Sequence, residues 1–322
     1  MTGPRSRAAA AGVAALLALA ACGGSDDAGS GGGAEEGGLT PVTIGTQPIV
    51  DSAPLYLGVD QGFFEEEGIE LTIESAAGGA VVVPSVVSGE YQFGRGNVLS
   101  TMIAVDEGLP LRCITNANST AGDPDFGAVV VRGDSPIQSM ADLAGATVSV
   151  NTLNNIGDTT IRSVVEEAGG DPDAVEFVEI PFPDAPSALD TGQVDAAWIL
   201  DPFLTEAVDA GARVLSYNFS DFHPELDISC VFTSDQLLQE DPELVEAFQR
   251  AMNRSLEFSQ ENPEEVRRIT GTYTEIEPAV LERIVIPTFR TEFSREALEL
   301  LGAKAAEYGT LSEEPDLDQL LP

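Results

Sequence analysis

From residue 42 onward the chain alternates short β-like runs with helix-like segments, and this alternation constrains the fold more than any other feature. Residues 42–45 read as a strand, followed by a helix that runs to residue 61 and stops at Gly62. Residues 70–74 alternate with period two, 82–88 suit a helix stopped by Gly89, and 91–94 read as a short strand. A helix over 98–107 ends at Gly108, and strands follow at 111–116 and 128–132. This is the βαβ pattern of a mostly parallel sheet covered by helices. A second cycle begins after "GDSPIQSMADLAG", with strands at 147–150, 175–180, 196–200 and 213–217 and helices at 158–168, 185–190 and 203–209. One more strand, 228–233, closes it.

The remainder, 234–322, is helical and too poor in strands to form a domain of its own. Leu244, Phe248, Met252 and Leu256 fall near one helical face, and Pro263, Pro278 and Pro287 break the rest into shorter helices. This tail is expected to pack on one lobe. The predicted fold class is α/β with two lobes, each a mostly parallel sheet flanked by helices. Strand 128–132 leaves and strand 228–233 returns, forming a two-strand hinge. The first lobe is predicted over 39–131 plus 232–322, the second over 132–231. In such sheets ligands bind at the carboxyl ends of strands, and interlobe clefts close by hinge motion.

The N-terminus has a different origin. Arg5 and Arg7 precede an apolar run, 8–20, that ends in Leu19-Ala20-Ala21-Cys22. The layout is that of a secretory signal, residues 1–21, and it resembles the bacterial lipobox, in which the cysteine is lipidated. The alternative is an ordinary signal peptide with Cys22 a bystander. The next stretch, "GGSDDAGSGGGAEEGG", has almost no apolar content, so 22–38 reads as a flexible tether spanning roughly 20–24 Å. No later stretch approaches the ~18 consecutive apolar residues of a transmembrane helix. The expected location is the outer face of the bacterial cytoplasmic membrane, held by a lipid anchor.

The net charge of −39 argues against nucleic acid, which needs clustered Lys and Arg, and against lying flat on anionic lipid. With one histidine, His223, a multi-histidine zinc site cannot form, and no metal is expected. Cys113 and Cys230 lie in strand-like segments, "PLRCIT" and "DISCVFT". They can bridge if those strands are neighbours, since an exported protein permits a disulfide; otherwise they are two buried thiols.

Four stretches resemble one family. "SAPLYLGVDQGFFEEEGIELTI" looks like its loop–helix–strand opening. "SGEYQFGRGN" looks like the strand leading to a cleft loop, "DSPIQSMADLAGATVSV" like the linker into the second lobe, and "ALDTGQVDAAWILDPF" like a strand ending in an acidic residue–Pro pair beside the cleft. Together they resemble the SsuA/THI5-like (NMT1-like) substrate-binding proteins of ABC importers, in the type II periplasmic-binding-protein superfamily. The resemblance covers about residues 40–235.

It implies a monomeric solute-binding lipoprotein with no cofactor, which passes a small organic molecule to a permease driven by a cytoplasmic ATPase. It does not separate transport from solute sensing. It places Gln47, Ser52, Ala53, Pro54 and Leu55 at the cleft, where first-turn N–H groups suit a negative or strongly polar ligand group. Alternatively, Pro54 and Leu55 only start the helix. Asn97 is a candidate cleft hydrogen-bonding group, and the flanking glycines of Gly94-Arg95-Gly96 read as a strand-end turn. In "NTLNNIGDTT", Asn154, Asn155 and the N–H of Ile156 can hold a polar ligand end or cap the helix. Trp198, the sole tryptophan, is either core or a stacking surface. Asp201 pairs with a cationic group or caps the helix starting at Pro202. With Arg95 the only basic residue near these loops, the site suits an aromatic or amine ligand better than nitrate.

Relatives that make a pyrimidine use a lysine Schiff base to pyridoxal phosphate and a consumed histidine. Here the only lysine is Lys304, in the tail, and His223 lies outside the matched loops. No G-x-S-x-G elbow precedes a helix. The expectation at this point is that the chain is not an enzyme.

Overall fold

The computed structural model describes residues 38–322. The expected signal, Cys22 and nearly all of the expected tether lie outside these residues. Among the described residues no helix is long and apolar enough to cross a membrane.

Among the described residues, ten strands form two five-stranded sheets. β1 (Thr40–Thr46), β2 (Ile69–Ser75), β3 (Phe93–Asn97), β4 (Leu111–Ser119) and β10 (Asp227–Ser234) make the first, in the order β2-β1-β3-β10-β4. β5 (Gly127–Arg132), β6 (Thr147–Val150), β7 (Glu176–Glu179), β8 (Ala196–Leu200) and β9 (Ala212–Ser216) make the second, in the order β7-β6-β8-β5-β9. β1 runs parallel to β2 and β3, and β6 parallel to β7 and β8. One strand in each sheet is reversed: β10 is antiparallel to β3 and β4, and β5 to β8 and β9. The sheets are therefore mixed. Each reversed strand is the first one laid down after the chain crosses from the other sheet.

Two predicted assignments change accordingly. β5 belongs wholly to the second sheet and β10 wholly to the first, so the chain crosses between sheets at 120–126 and 217–226, not within strands. The reason is burial. Ala128, Val129, Val130 and Val131 are fully buried, as is the whole of β10, and strands covered on both faces need a sheet neighbour on each side. A continuous apolar run signals such a strand without saying which sheet it enters. The crossings are tied to each other. Thr120 N–H donates to Leu226 O (3.0 Å), and the Ser220 hydroxyl donates to Asp125 Oδ2 (2.8 Å).

Gly94 and Gly96 sit inside β3 and form no turn. A Cβ on Gly96 would stand 2.5 Å from the Gly79 Cα, at the start of the Gly79–Val87 helix. One on Gly94 would meet the Phe232 ring at 2.4 Å. The two glycines let helix and sheet close around Arg95, which lies between them and is fully buried.

The tail packs mainly on the first lobe. Phe248, on the Pro242–Glu261 helix, stacks on Phe93 with centroids 3.8 Å apart, and Arg250 pairs with Glu67 at 2.7 Å. The tail also reaches the second lobe, which corrects its assignment to one alone. Lys304 pairs with Glu166 at 2.9 Å, Arg283 pairs with Asp209, and Val285 N–H donates to Asp201 Oδ2 at 2.7 Å. Cys113 on β4 and Cys230 on β10, neighbouring strands, are joined by a disulfide.

Candidate ligand-binding site

A small chamber lies between the two sheets, with about 10 Å³ of free space, room for about one water molecule. The first lobe supplies Gln47, Ile49, Asp51, Asn97, Ile228 and Ser229; the second supplies Asn151, Ile156, Phe182, Trp198, Leu200 and Phe219. The elements that deliver them are β3, β8, β10, the loops after β1, β6 and β7, and the helices Ile156–Glu167 and Asn218–Phe222.

The loop after β1 is fixed by its own polar groups. The Ser52 hydroxyl donates to Gln47 O (2.6 Å) and lies 2.8 Å from the Thr46 hydroxyl, while Gln47 Nε2 donates to Ala77 O (2.9 Å). A 3-10 turn, Val50–Ser52, precedes the Ala53–Asp60 helix. It uses the donors expected to face a ligand: Ser52 N–H goes to Ile49 O and Ala53 N–H to Val50 O. Pro54 has no N–H. Ser52, Ala53, Pro54 and Leu55 are buried in the core and do not line the chamber. Of the residues expected from this segment only Gln47 reaches it, joined by the unexpected Ile49 and Asp51.

Asp51 is the central polar group. It pairs with Arg95 at 2.6 Å, the two side chains being 2% and 1% exposed. Arg95 Nη2 also donates to Asn118 Oδ1 (2.9 Å) and Ser229 Oγ (3.0 Å), and Nη1 to Ser52 Oγ (3.2 Å). Arg95 stands behind the wall; Asp51 is part of it. Asp51 Oδ1 has no partner in the protein. A buried arginine demands a buried acid, and Asp51 meets that demand.

Asn97 lines the chamber and also caps the Val98–Asp106 helix, its Oδ1 accepting from Ser100 N–H at 2.9 Å. Asn154 and Asn155 do not line it. Both donate backbone N–H groups to Asp158 (2.6 Å each), and Asn155 Oδ1 accepts from Ile156 N–H. These are cap interactions of the Ile156–Glu167 helix, so the loop's contribution falls to Asn151 and the Ile156 side chain. Burial raises the Asp158 carboxyl above the usual range against these hydrogen bonds.

Trp198 is both core and wall. It is 2% exposed, meets Phe182 and Phe219 edge-on at 5.3 and 5.5 Å, and has Gly157 packed on its ring. Its Nε1 also has no protein partner.

Asp201 is a cap. It does not line the chamber; Oδ1 accepts from the Thr205 N–H (2.9 Å) and hydroxyl (2.7 Å), and Oδ2 from Val285 N–H. Its pairing with a ligand cation is thereby replaced by a structural role. Burial pushes its carboxyl up to about 6, and Asp125 is raised for the same reason. Between about pH 4 and pH 6 the native state therefore holds a proton on Asp201 that the unfolded chain, titrating near 3.8, releases. The resulting destabilisation is full above about pH 6 and gone below about pH 4, and it amounts to about 3 kcal/mol. Thermal melts are expected to shift upward as pH falls from about 7.5 to about 5.5. A midpoint that falls over this window would contradict the assignment.

Lys304 and His223 both lie away from the chamber. Lys304 bridges Glu166 and Glu307, and His223 Nδ1 accepts from Glu225 N–H. Among the described residues no group of three or more His, Cys, Asp or Glu side chains could hold a metal.

Comparison with known proteins agrees with the fold. The alkanesulfonate-binding protein SsuA from Xanthomonas axonopodis pv. citri, solved with MOPS bound, superposes with a TM-score of 0.73 at 16% identity, covering 88% of this chain and 99% of its own. The formylaminopyrimidine-binding protein of Halalkalibacterium halodurans is 23% identical over 223 residues, 68% of this chain and 65% of the relative, just under two thirds of that protein's length. A 4-amino-5-hydroxymethyl-2-methylpyrimidine phosphate synthase of Legionella pneumophila is also 23% identical, over 230 residues, 66% of each chain. The expectation that this chain is not an enzyme does not stand, because it is as similar to a synthase as to a binding protein. The family described as NMT1/THI5 like matches residues 49–266, well over half of the sequence, and the chain belongs to that family.

Proposed function

We propose that the chain is an extracytoplasmic solute-binding protein, lipid-anchored at Cys22, that captures a small organic molecule between its lobes and delivers it to an ABC importer. The permease and its cytoplasmic ATPase are the partners. The observation that carries this reading is the chamber itself: both lobes contribute to its wall, so a bound solute joins them, and lobe closure can signal occupancy to a permease. The relatives named for binding a formylaminopyrimidine and an alkanesulfonate support a ligand among pyrimidine precursors, sulfonates or related aromatic and amine compounds. A second reading, pyrimidine synthesis, is favoured by the equal identity to the Legionella synthase, and release of a pyrimidine product by the purified chain would support it.

The test of solute binding begins with the protein purified from its native host. Denaturation followed by mass spectrometry should release a stoichiometric small molecule. Trp198→Ala should weaken its rebinding by tenfold or more, since a buried aromatic contact is worth about 1.5–3 kcal/mol. Asp201→Ala should lower the melting temperature with little change in affinity. If Trp198→Ala leaves affinity unchanged, the chamber is not the site. For the anchor, radiolabelled palmitate should be incorporated by the wild type and not by Cys22→Ala.

A further inference from the structure

The chamber has room for about one water molecule, so anything larger enters it only when the lobes part. Direct contacts hold the lobes together. Val50 N–H, in the loop after β1, donates to Asp201 O beyond β8 (3.1 Å), and Asn155 Nδ2 donates to Ser100 Oγ (3.1 Å).

The tail crosses the same seam twice. At the first crossing both Nη atoms of Arg283 donate to the Asp209 carboxylate, at the end of the Phe203–Asp209 helix, and Val285 N–H donates to Asp201 Oδ2 (2.7 Å). Three residues on, Thr288 is back on the first lobe, exchanging backbone hydrogen bonds with Ser119 of β4 (2.9 and 3.2 Å). At the second crossing Lys304 Nζ and the Tyr308 hydroxyl both donate to Glu166 Oε2 (2.9 Å each), and the Arg162 guanidinium lies 5.9 Å from the Tyr308 ring centroid. Four residues on, Ser312 is fixed to the first lobe, its N–H and hydroxyl donating to Asp106 (3.0 and 2.6 Å).

Three or four residues reach at most about 10–14 Å when fully extended. Each crossing is therefore a short tie, and lobes that part along it must give up either the anchor or the grip. The anchors on the first lobe are reinforced by packing: Tyr273 stacks on Tyr56 with centroids 3.9 Å apart, and its hydroxyl donates to Ile49 O (3.0 Å). The grips on the second lobe include ion pairs between partly exposed side chains, which are weak singly and screened by salt. The grips are the parts that yield.

We propose that residues 283–308 of the tail form a strap across the seam, and that its two ion-pair grips, Arg283–Asp209 and Lys304–Glu166, set how often the lobes part. This is a property of the lobes themselves and is read without solute, so it can fail while the solute-binding reading stands.

The test is amide hydrogen exchange in the full chain at Val50 and Val285, whose N–H groups bond across the seam. Ile44 in β1 and Val148 in β6, each paired on both sides within one sheet, report on unfolding. Val50 and Val285 are expected to exchange faster than Ile44 and Val148 and with a shallower dependence on urea, because parting exposes less surface than unfolding. Arg283→Gln/Lys304→Gln should speed exchange at Val50 and Val285 roughly two- to thirtyfold, the range for two exposed pairs. Raising NaCl from about 0.05 to about 1 M should speed both amides in the wild type and leave the double variant nearly unchanged. Arg283→Asp should act like the loss of one grip, and adding Asp209→Arg, which restores the pair with its charges exchanged, should bring the rates back. Unchanged exchange at Val50 and Val285 in the double variant would overturn the strap. So would rates and urea slopes equal to those of Ile44 and Val148, since the seam would then open only on unfolding. Equal salt sensitivity in wild type and double variant would overturn the ion-pair grips.

Discussion

Arg95→Met should cost about 3–5 kcal/mol of unfolding free energy, because it leaves Asp51 as a charge buried without its counter-ion. Arg95 is held at 2.6 Å from Asp51 and also donates to Asn118, Ser229 and Ser52, so its loss strands acceptors on β4, β10 and the loop after β1 together. The desolvation of both charges has already been met by folding, which makes the pair far more costly to break than to replace. The double variant Asp51→Leu/Arg95→Met should therefore recover most of the loss. Urea titrations of the wild type, the two single variants and the double variant would measure the coupling. A loss under about 1 kcal/mol for Arg95→Met, or strictly additive singles, would show that the pair is solvated and does not act as a unit.

Removing the Cys113–Cys230 disulfide should have an effect of similar size. The bond closes a loop of 117 residues in sequence separation, which contains the whole second sheet. By the chain-entropy account, a closure this long restricts the unfolded chain by about 4–5 kcal/mol, with measured losses typically about 2–5 kcal/mol. Both cysteines are fully buried, so Cys113→Ala/Cys230→Ala adds the loss of packed sulfur atoms to that effect. The check is the urea midpoint of the wild type with and without dithiothreitol, beside that of the double variant. Coincident midpoints would mean that the bond constrains nothing that the native strand pairing does not already hold.

Much of the fold was legible because it rests on local signals. Gly62, Gly89 and Gly108 follow helices as positive-φ residues at which an L side chain would be strained, and the period-two run at 70–74 lies within β2. Sheet membership was not legible. "AVVV" in β5 and "ISCVF" in β10 are equally apolar, and only pairing with β8 and β9, or with β3 and β4, assigns them.

The site divides in the same way. Trp198, Asn97, Gln47 and Ile156 lie on the wall, but Asn155, Asp201 and Ser52 are spent on caps and loop bonds that no spacing rule separates from ligand contacts. Asp51 escaped notice because its meaning depends on Arg95, 44 residues later and adjacent only after β1 and β3 pair. Phe182 and Phe219 come from a loop and a short helix whose approach to β8 is a matter of tertiary packing.

The bond between β4 and β10 makes the second lobe part of a covalent ring, with the chain leaving β4 at Ser119 and re-entering the first sheet at Asp227. A single proteolytic cut anywhere inside that ring opens it without dividing the molecule. The two halves stay one species until the disulfide is reduced, and β4 and β10 keep their registration throughout. A nick in the second lobe is thus a wound that the molecule can carry, with both halves still joined.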